Sequence, residues 1–199
     1  MTIHPHDLLY ADSRISYRLW YFDGRRPIER PTLAASLDAL GFSSMVMSAY
    51  KEDLGAAELQ RFQTAVRKAF PRLRFNLYPW FLKTYSDNVL LASPIVMDGE
   101  INWLNVTTAV AKFQASMVFS GYFVRGGLAR GPIHLSSRIA YGAALIEAQE
   151  AEAHDADWPR VVLTTEAVVT LCDYMAYNNG VDPDMHGIQL LAGPRTNGG

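Results

Sequence analysis

Cysteine is almost absent from this chain. Cys172 is the only one in 199 residues, so neither an internal disulfide nor a cysteine-rich metal site can form. It lies in TTEAVVTLCDYM, an apolar helical pattern, and reads as a packing residue. No apolar run reaches the roughly 18 residues of a membrane span. MTIHPHDLLYADS has neither a basic start nor an apolar core, so no secretory signal is expected. Excess charge of one sign is missing too. The net charge is −2, and no global basic field advertises nucleic-acid binding. The expectation is a soluble, cytoplasmic protein with neither nucleic-acid nor membrane partners. The five histidines (His4, His6, His134, His154 and His186) lack zinc spacing. No Walker A loop, dinucleotide-binding glycine fingerprint or G-x-S-x-G elbow occurs.

What remains is apolar and patterned. Hydrophobic residues make up 49% and charged residues 19%, which suits one packed domain rather than disorder. Residues 1–31 read as a turn-rich N-terminal extension, in which YRLWYF could add an edge strand. Residues 32–192 read as the compact domain and 193–199 as a loose tail. TLAASLD is a strand ending near Asp38. SMVMSAYKEDLGAAELQRFQTAVRKAF is helical with an interruption at Gly55, and Leu59, Phe62, Val66 and Phe70 mark its inward face. WFLKTYS and NVLLASPI form a hairpin around Asp87-Asn88. A helix over about 100–119 carries a stripe of Val106, Val110, Phe113 and Met117.

YFVRGGLA and PIHLSS read as two strands around Arg130-Gly131. YGAALIEAQEAEAHDA is a further helix, with Glu147, Glu150 and Glu152 spaced like a solvated face. RVVLT is a strand, TTEAVVTLCDYMAY a Thr-capped helix, and GIQLLAG a last strand. The fold class is therefore α+β, an α/β sandwich. Its core is a ferredoxin-like βαββαβ run with extra C-terminal strands and helices.

That topology sets the end of the first strand beside the tip of the central hairpin, which makes Asp38 and Asp87 neighbours. A carboxylate ending an apolar strand is costly unless paired or bound to a metal. Two carboxylates in one cleft repel, and Mg²⁺ or Mn²⁺ relieves this, with substrate phosphates completing the shell. Two such ions can serve an in-line phosphoryl displacement. The turn after Asp38 opens a helix, whose amides suit phosphate. The residues alone leave a turn aspartate and a helix-capping aspartate as open alternatives.

LDALGFSS resembles the first metal motif of class III nucleotidyl cyclases, and KTYSDNVLLAS the second. FVRGGLARG resembles their Arg-x-Gly-x-x-x-Gly strand and turn. IAYGAALIEAQEAEAHDADWPRVVL resembles their glycine-containing helix and following strand. The forms LGFSS, YSDN, RGGLARG, YGAALIEAQEAE and PRVVL are most similar to the short bacterial cyclases of Pycsar antiphage systems, which make cyclic CMP or cyclic UMP.

The resemblance implies that Asp38, Ala39 and Asp87 hold two Mn²⁺ or Mg²⁺ ions. It implies that Leu40, Gly41, Phe42 and Ser43 face the triphosphate. Lys83 takes the place of a base-recognising lysine and could donate to a pyrimidine carbonyl. Tyr50 could contact a base edge or narrow the pocket, with packing as its alternative. The usual second base-reading residue falls at Ile139, and the usual transition-state Asn and Arg fall at Ile146 and Glu150. A standard adenylyl cyclase is therefore not expected. Arg125, Arg130 and Arg138 are the candidates for the transition-state cation.

The implied activity converts UTP, or CTP, to the 3′,5′-cyclic monophosphate and pyrophosphate. The implied assembly is a homodimer with sites at its interface, signalling to a separate effector in antiphage defence. The rivals are a purine nucleotide cyclase with an atypical base pocket and a degenerate nucleotide-binding module.

Overall fold

The computed structural model describes residues 18–69, 81–95 and 103–178. The central strand is β3, Arg30–Ala39, whose residues 32–37 are all buried. It lies between β5 (Asn88–Pro94) and β6 (Val124–Leu135), antiparallel to both. β4 (Phe81–Tyr85) flanks β5, and the two-residue β7 (Ala140–Tyr141) extends the far side of β6. β8 (Val161–Leu163) pairs in parallel with β6. The core order β4-β5-β3-β6 is that of a βαββαβ unit, as expected from the sequence. A separate ribbon joins β1 (Phe22–Asp23) to β2 (Arg26–Pro27).

The helical stretch after β3 divides where expected. α1 spans Phe42–Lys51 and α2 Gly55–Ala69. Asp53 turns the chain between them with a left-handed φ of 59°. Gly55 opens α2 beside the exposed Tyr50 ring, which a Cβ there would approach to 2.9 Å. α3 (Trp103–Phe119) follows β5, and its stripe of Val106, Val110, Phe113 and Met117 is buried as expected. α2 and α3 cover one face of the sheet, where Phe62, Val66 and Phe113 meet Leu33, Ala35 and Leu37. α5 (Thr165–Asn178) joins that side through Ala167, and the Thr164 hydroxyl accepts from the Ala167 amide at 3.4 Å.

α4 (Ala143–Asp155) takes the other face, setting Ala144 and Ala148 on Ala34, Leu90 and Ala129. Glycine brings it close. A Cβ on Gly127 would lie 2.1 Å from the Ala148 carbonyl oxygen and 2.9 Å from the Glu152 nitrogen. Gly127 thus serves helix-on-sheet contact, while a Cβ on Gly126 would meet the Ser36 carbonyl oxygen of β3.

Five expectations need correction. Arg130-Gly131 does not divide two strands, because both residues continue the β6 ladder, opposite Leu33 and Thr32. Leu59 is 55% exposed, and Ala65 and Ala69 fill the inward face of α2 instead. Residues 18–21 form a helical turn rather than an edge strand, and Tyr21 is buried with its hydroxyl 3.0 Å from Thr32 Oγ1. Glu152 is buried at 7% exposure. Cys172 is only half-buried. Phe70, GIQLLAG and the tail at 193–199 lie outside the described residues. No helix among the described residues is long and apolar enough to cross a membrane.

Candidate functional site

β3 sorts its side chains by alternation. Leu33, Ala35, Leu37 and Ala39 pack against the α2 and α3 side. The intervening Thr32, Ala34, Ser36 and Asp38 face the α4 side. Asp38 is the penultimate residue of the strand, where the apolar cover thins. Its partners across the ladder are Asn88 on β5 and Arg125 on β6.

Asp87 arrives from the hairpin. The turn is Ser86-Asp87, one residue earlier than expected, because Asn88 already pairs with both Tyr85 and Asp38. Ser86 adopts a left-handed φ of 57°, which side chains other than glycine adopt at a cost of about 1 kcal/mol. The two aspartates are neighbours, as the topology implied. Asp87 lies close enough for its charge to act on Asp38. Burial first, and then the Asp87 charge, push the Asp38 carboxyl above its ordinary value, against the pull of Arg125.

A polar network surrounds the pair. Arg125 Nε donates to Asp38 Oδ2 at 3.3 Å. Its Nη1 donates to the Ala156 carbonyl at 3.4 Å, and its Nη2 lies 3.7 Å from Glu152 Oε1. Glu152 Oε2 lies 3.1 Å from Ser36 Oγ and 3.4 Å from Asn88 Nδ2. Ser36 Oγ also lies 3.2 Å from Asn88 Oδ1. Burial is the largest influence raising the Glu152 carboxyl, and the Asp38 charge adds to it. Ser36, Arg125 and Asn88 oppose the shift. Asp38 and Glu152 therefore share one guanidinium.

Lys83 stands on the same face. It pairs with Leu90, which packs with Ala34 and α4, and paired residues share a face. Burial lowers the Lys83 ammonium below its ordinary value. After Asp38, Gly41 takes a φ of 72° and starts α1 without a side-chain cap. Phe42 anchors that start, its ring 4.5 Å from Phe62. Ser43 is exposed. Leu40 donates its amide to the Phe123 carbonyl at 2.8 Å, so that amide is engaged within the protein. Ala39 ends β3 with its side chain in the core.

Other candidates are not brought together. Arg130 pairs with Leu33, on the opposite face, and its Nη1 reaches Glu166 at 3.2 Å. Tyr50 is 69% exposed at the far end of α1, about 12 Å along the helix from Phe42. Arg138 is exposed, and its amide donates to Ser136 Oγ. Ile139 and Ile146 are more than half exposed. Sequence reasoning missed Ser36, Asn88 and Glu152. A signal existed: Glu152 falls four residues after Ala148 and eight after Ala144, on the small-residue face of α4.

Asp38 and Asp87 offer hard oxygen donors whose mutual repulsion a divalent cation relieves, so the pair fits Mg²⁺ or Mn²⁺ chemistry. Among the described residues no three His, Cys, Asp or Glu side chains form a metal-holding group.

No protein-family model matches the chain, and no curated protein matches it. A solved class III adenylyl cyclase-like ATP-binding protein from Pseudomonas aeruginosa is similar in fold, with TM-score 0.53 and 14% identity. The match covers 71% of this chain and 35% of that one, so the chain spans about a third of that protein's length. The chain has a class III cyclase-like fold.

Proposed function

We propose that this protein is a nucleotide cyclase acting on a pyrimidine triphosphate, with UTP preferred over CTP. The observation that carries the reading is the Asp38–Asp87 pair, held at one end of the polar sheet face beside an uncapped helix start. The two aspartates would hold Mn²⁺ or Mg²⁺. When bound, such ions supply Lewis acidity that lowers the pKa of the ribose 3′-hydroxyl and neutralises phosphate charge. The hydroxyl attacks the α-phosphate in line, and pyrophosphate leaves.

The free amides of the first turn of α1 cradle the triphosphate. Arg125 adds positive charge where negative charge spreads over the phosphoryl oxygens. Lys83 donates to a base carbonyl, which suits uracil O4 where cytosine carries an amine. Ile139 and Ile146 supply no polar groups to read a purine. Their exposure supports a homodimer in which a second copy covers them. A cyclic product read by a separate effector, in antiphage defence, belongs to the same proposal.

The test is mass-spectrometric identification of products from a mixture of the four NTPs with Mn²⁺. Cyclic UMP is the expected product, with cyclic CMP second; cyclic AMP or cyclic GMP alone would refute the pyrimidine assignment. Lys83→Ala should lower the preference for UTP roughly tenfold or more.

A second reading, a nucleotide-binding module without turnover, is favoured by one observation. Asp38 is already ion-paired with Arg125, and the usual Asn and Arg are replaced by Ile146 and Glu150. Nucleotide binding with Mn²⁺ but without pyrophosphate release would select it.

A further inference from the structure

Glu152 is a buried carboxylate on a helix that needs none for its packing. Ala144, Ala148 and Ala151 already fill that face of α4. Burying a carboxylate is costly unless it is paired and hydrogen-bonded, so its partners indicate its use. The two oxygens are divided between two tasks. Oε2 is fixed from the sheet by Ser36 Oγ and Asn88 Nδ2. Oε1 is directed at Arg125 Nη2, 3.7 Å away. The guanidinium meanwhile reaches Asp38 through a different nitrogen, Nε, at 3.3 Å. Arg125 thus touches two carboxylates with two parts of one rigid fork, while the Ala156 carbonyl steadies a third nitrogen.

We propose that Glu152 is a positioning residue that receives the Arg125 guanidinium when Asp38 takes a divalent cation. Asp38 can then open without leaving Arg125 unpaired. This rests on the two-carboxylate metal reading above. The exchange needs only a tilt of the guanidinium, because Nη2 already faces Glu152 and Nε alone must leave Asp38. Gly127 makes it possible by letting α4 lie on the sheet.

The test uses the full chain and Mn²⁺ alone, followed by loss of the free-ion EPR signal. Glu152→Gln removes the receiving charge, so Arg125 stays on Asp38 and Mn²⁺ binding should weaken about fivefold. In an Arg125→Gln background the same substitution should change binding less than about twofold. Glu152→Asp keeps the charge and should restore binding to within about twofold of the parent.

Equal effects of Glu152→Gln in both backgrounds would overturn the role of Glu152 and leave the metal pair standing. Absence of any Mn²⁺ binding that depends on Asp38 and Asp87 would overturn the metal reading itself, and this role with it. Should Glu152→Gln fail to fold, the wild-type chain decides. Saturating Mg²⁺ should shift the Arg125 Nε–H resonance and keep the guanidinium protected from solvent exchange. An unmoved resonance, or a guanidinium released to solvent, would overturn the proposal.

Discussion

The two faces of β3 are built from one strand of ten residues and obey opposite rules. Toward α2 and α3 the strand presents Leu33, Ala35, Leu37 and Ala39 to a large apolar cluster holding Phe62, Trp103 and Phe113. Toward α4 it presents Thr32, Ala34, Ser36 and Asp38, where α4 contributes Ala144 and Ala148 beside a second cluster holding Tyr21, Phe81 and Ile133. The first face derives its stability from burial of large side chains. The second keeps helix and sheet close enough to hold charged groups in fixed geometry. The difference shows why a polar site can survive in so apolar a sheet: one face is apolar to the end of the strand, while the other gives way there to partly desolvated acids.

Substitutions on the two faces should therefore fail in opposite ways. On the cyclase activity proposed above, Asp38→Asn or Asp87→Asn should lower turnover by about 100- to 1,000-fold or more, with thermal unfolding little changed. Pyrophosphate release and circular dichroism on the same samples check both halves. A variant that loses activity only by unfolding would break the comparison. Phe113→Ala, on the other face, should cost about 3–5 kcal/mol of stability. It should leave the nucleotide preference of the remaining folded protein unchanged. Denaturant titration and a competition assay between UTP and CTP measure the two.

Gly127→Ala joins the faces. Its Cβ would meet the Ala148 carbonyl, which is backbone and cannot turn aside. The expected cost is about 1–3 kcal/mol. Because α4 must lift, Glu152 should also lose its grip on Ser36 and Asn88. Normal Mn²⁺ binding in a destabilised Gly127→Ala protein would separate the helix contact from the site.

The apolar face was the more legible in sequence. The α3 stripe repeats at helical spacing, and burial of large side chains enforces it. Leu59 failed because Ala65 and Ala69 let α2 approach by small residues, leaving Leu59 outside. The α4 face was legible only where topology sufficed. Asp38 and Asp87 could be paired because a βαββαβ order brings a strand end to a hairpin tip. Glu152 shares the small-residue face of α4, but its burial depends on a glycine in a distant strand admitting α4, which spacing alone does not reveal. Arg130 illustrates the converse. It lies in the same motif as Arg125, but an odd separation of five residues along one strand sends it to the other face.

The smallest expected effect concerns pH, and it again separates the faces. Burial, and then neighbouring negative charge, raise the folded-state pKa of Asp38, and burial is also the largest influence raising Glu152. Their ordinary values are 3.8 and 4.5. Between those values and the raised ones, the folded chain binds more protons than the unfolded chain. The contribution of these groups to stability must then rise as pH falls through the raised values, and it is complete below the ordinary ones. This is opposite to the usual salt-bridged aspartate. Without divalent cation, the Asp38→Asn, Glu152→Gln double variant should lack this acid-side gain relative to the parent, as read by melting temperature against pH. Phe113→Leu should shift the whole curve without changing its slope. Mg²⁺ should reverse the trend in the parent, since an ion held by Asp38 requires the ionised carboxylate. A double variant with the parent's slope would show that the acids on the α4 face are not strained by their surroundings.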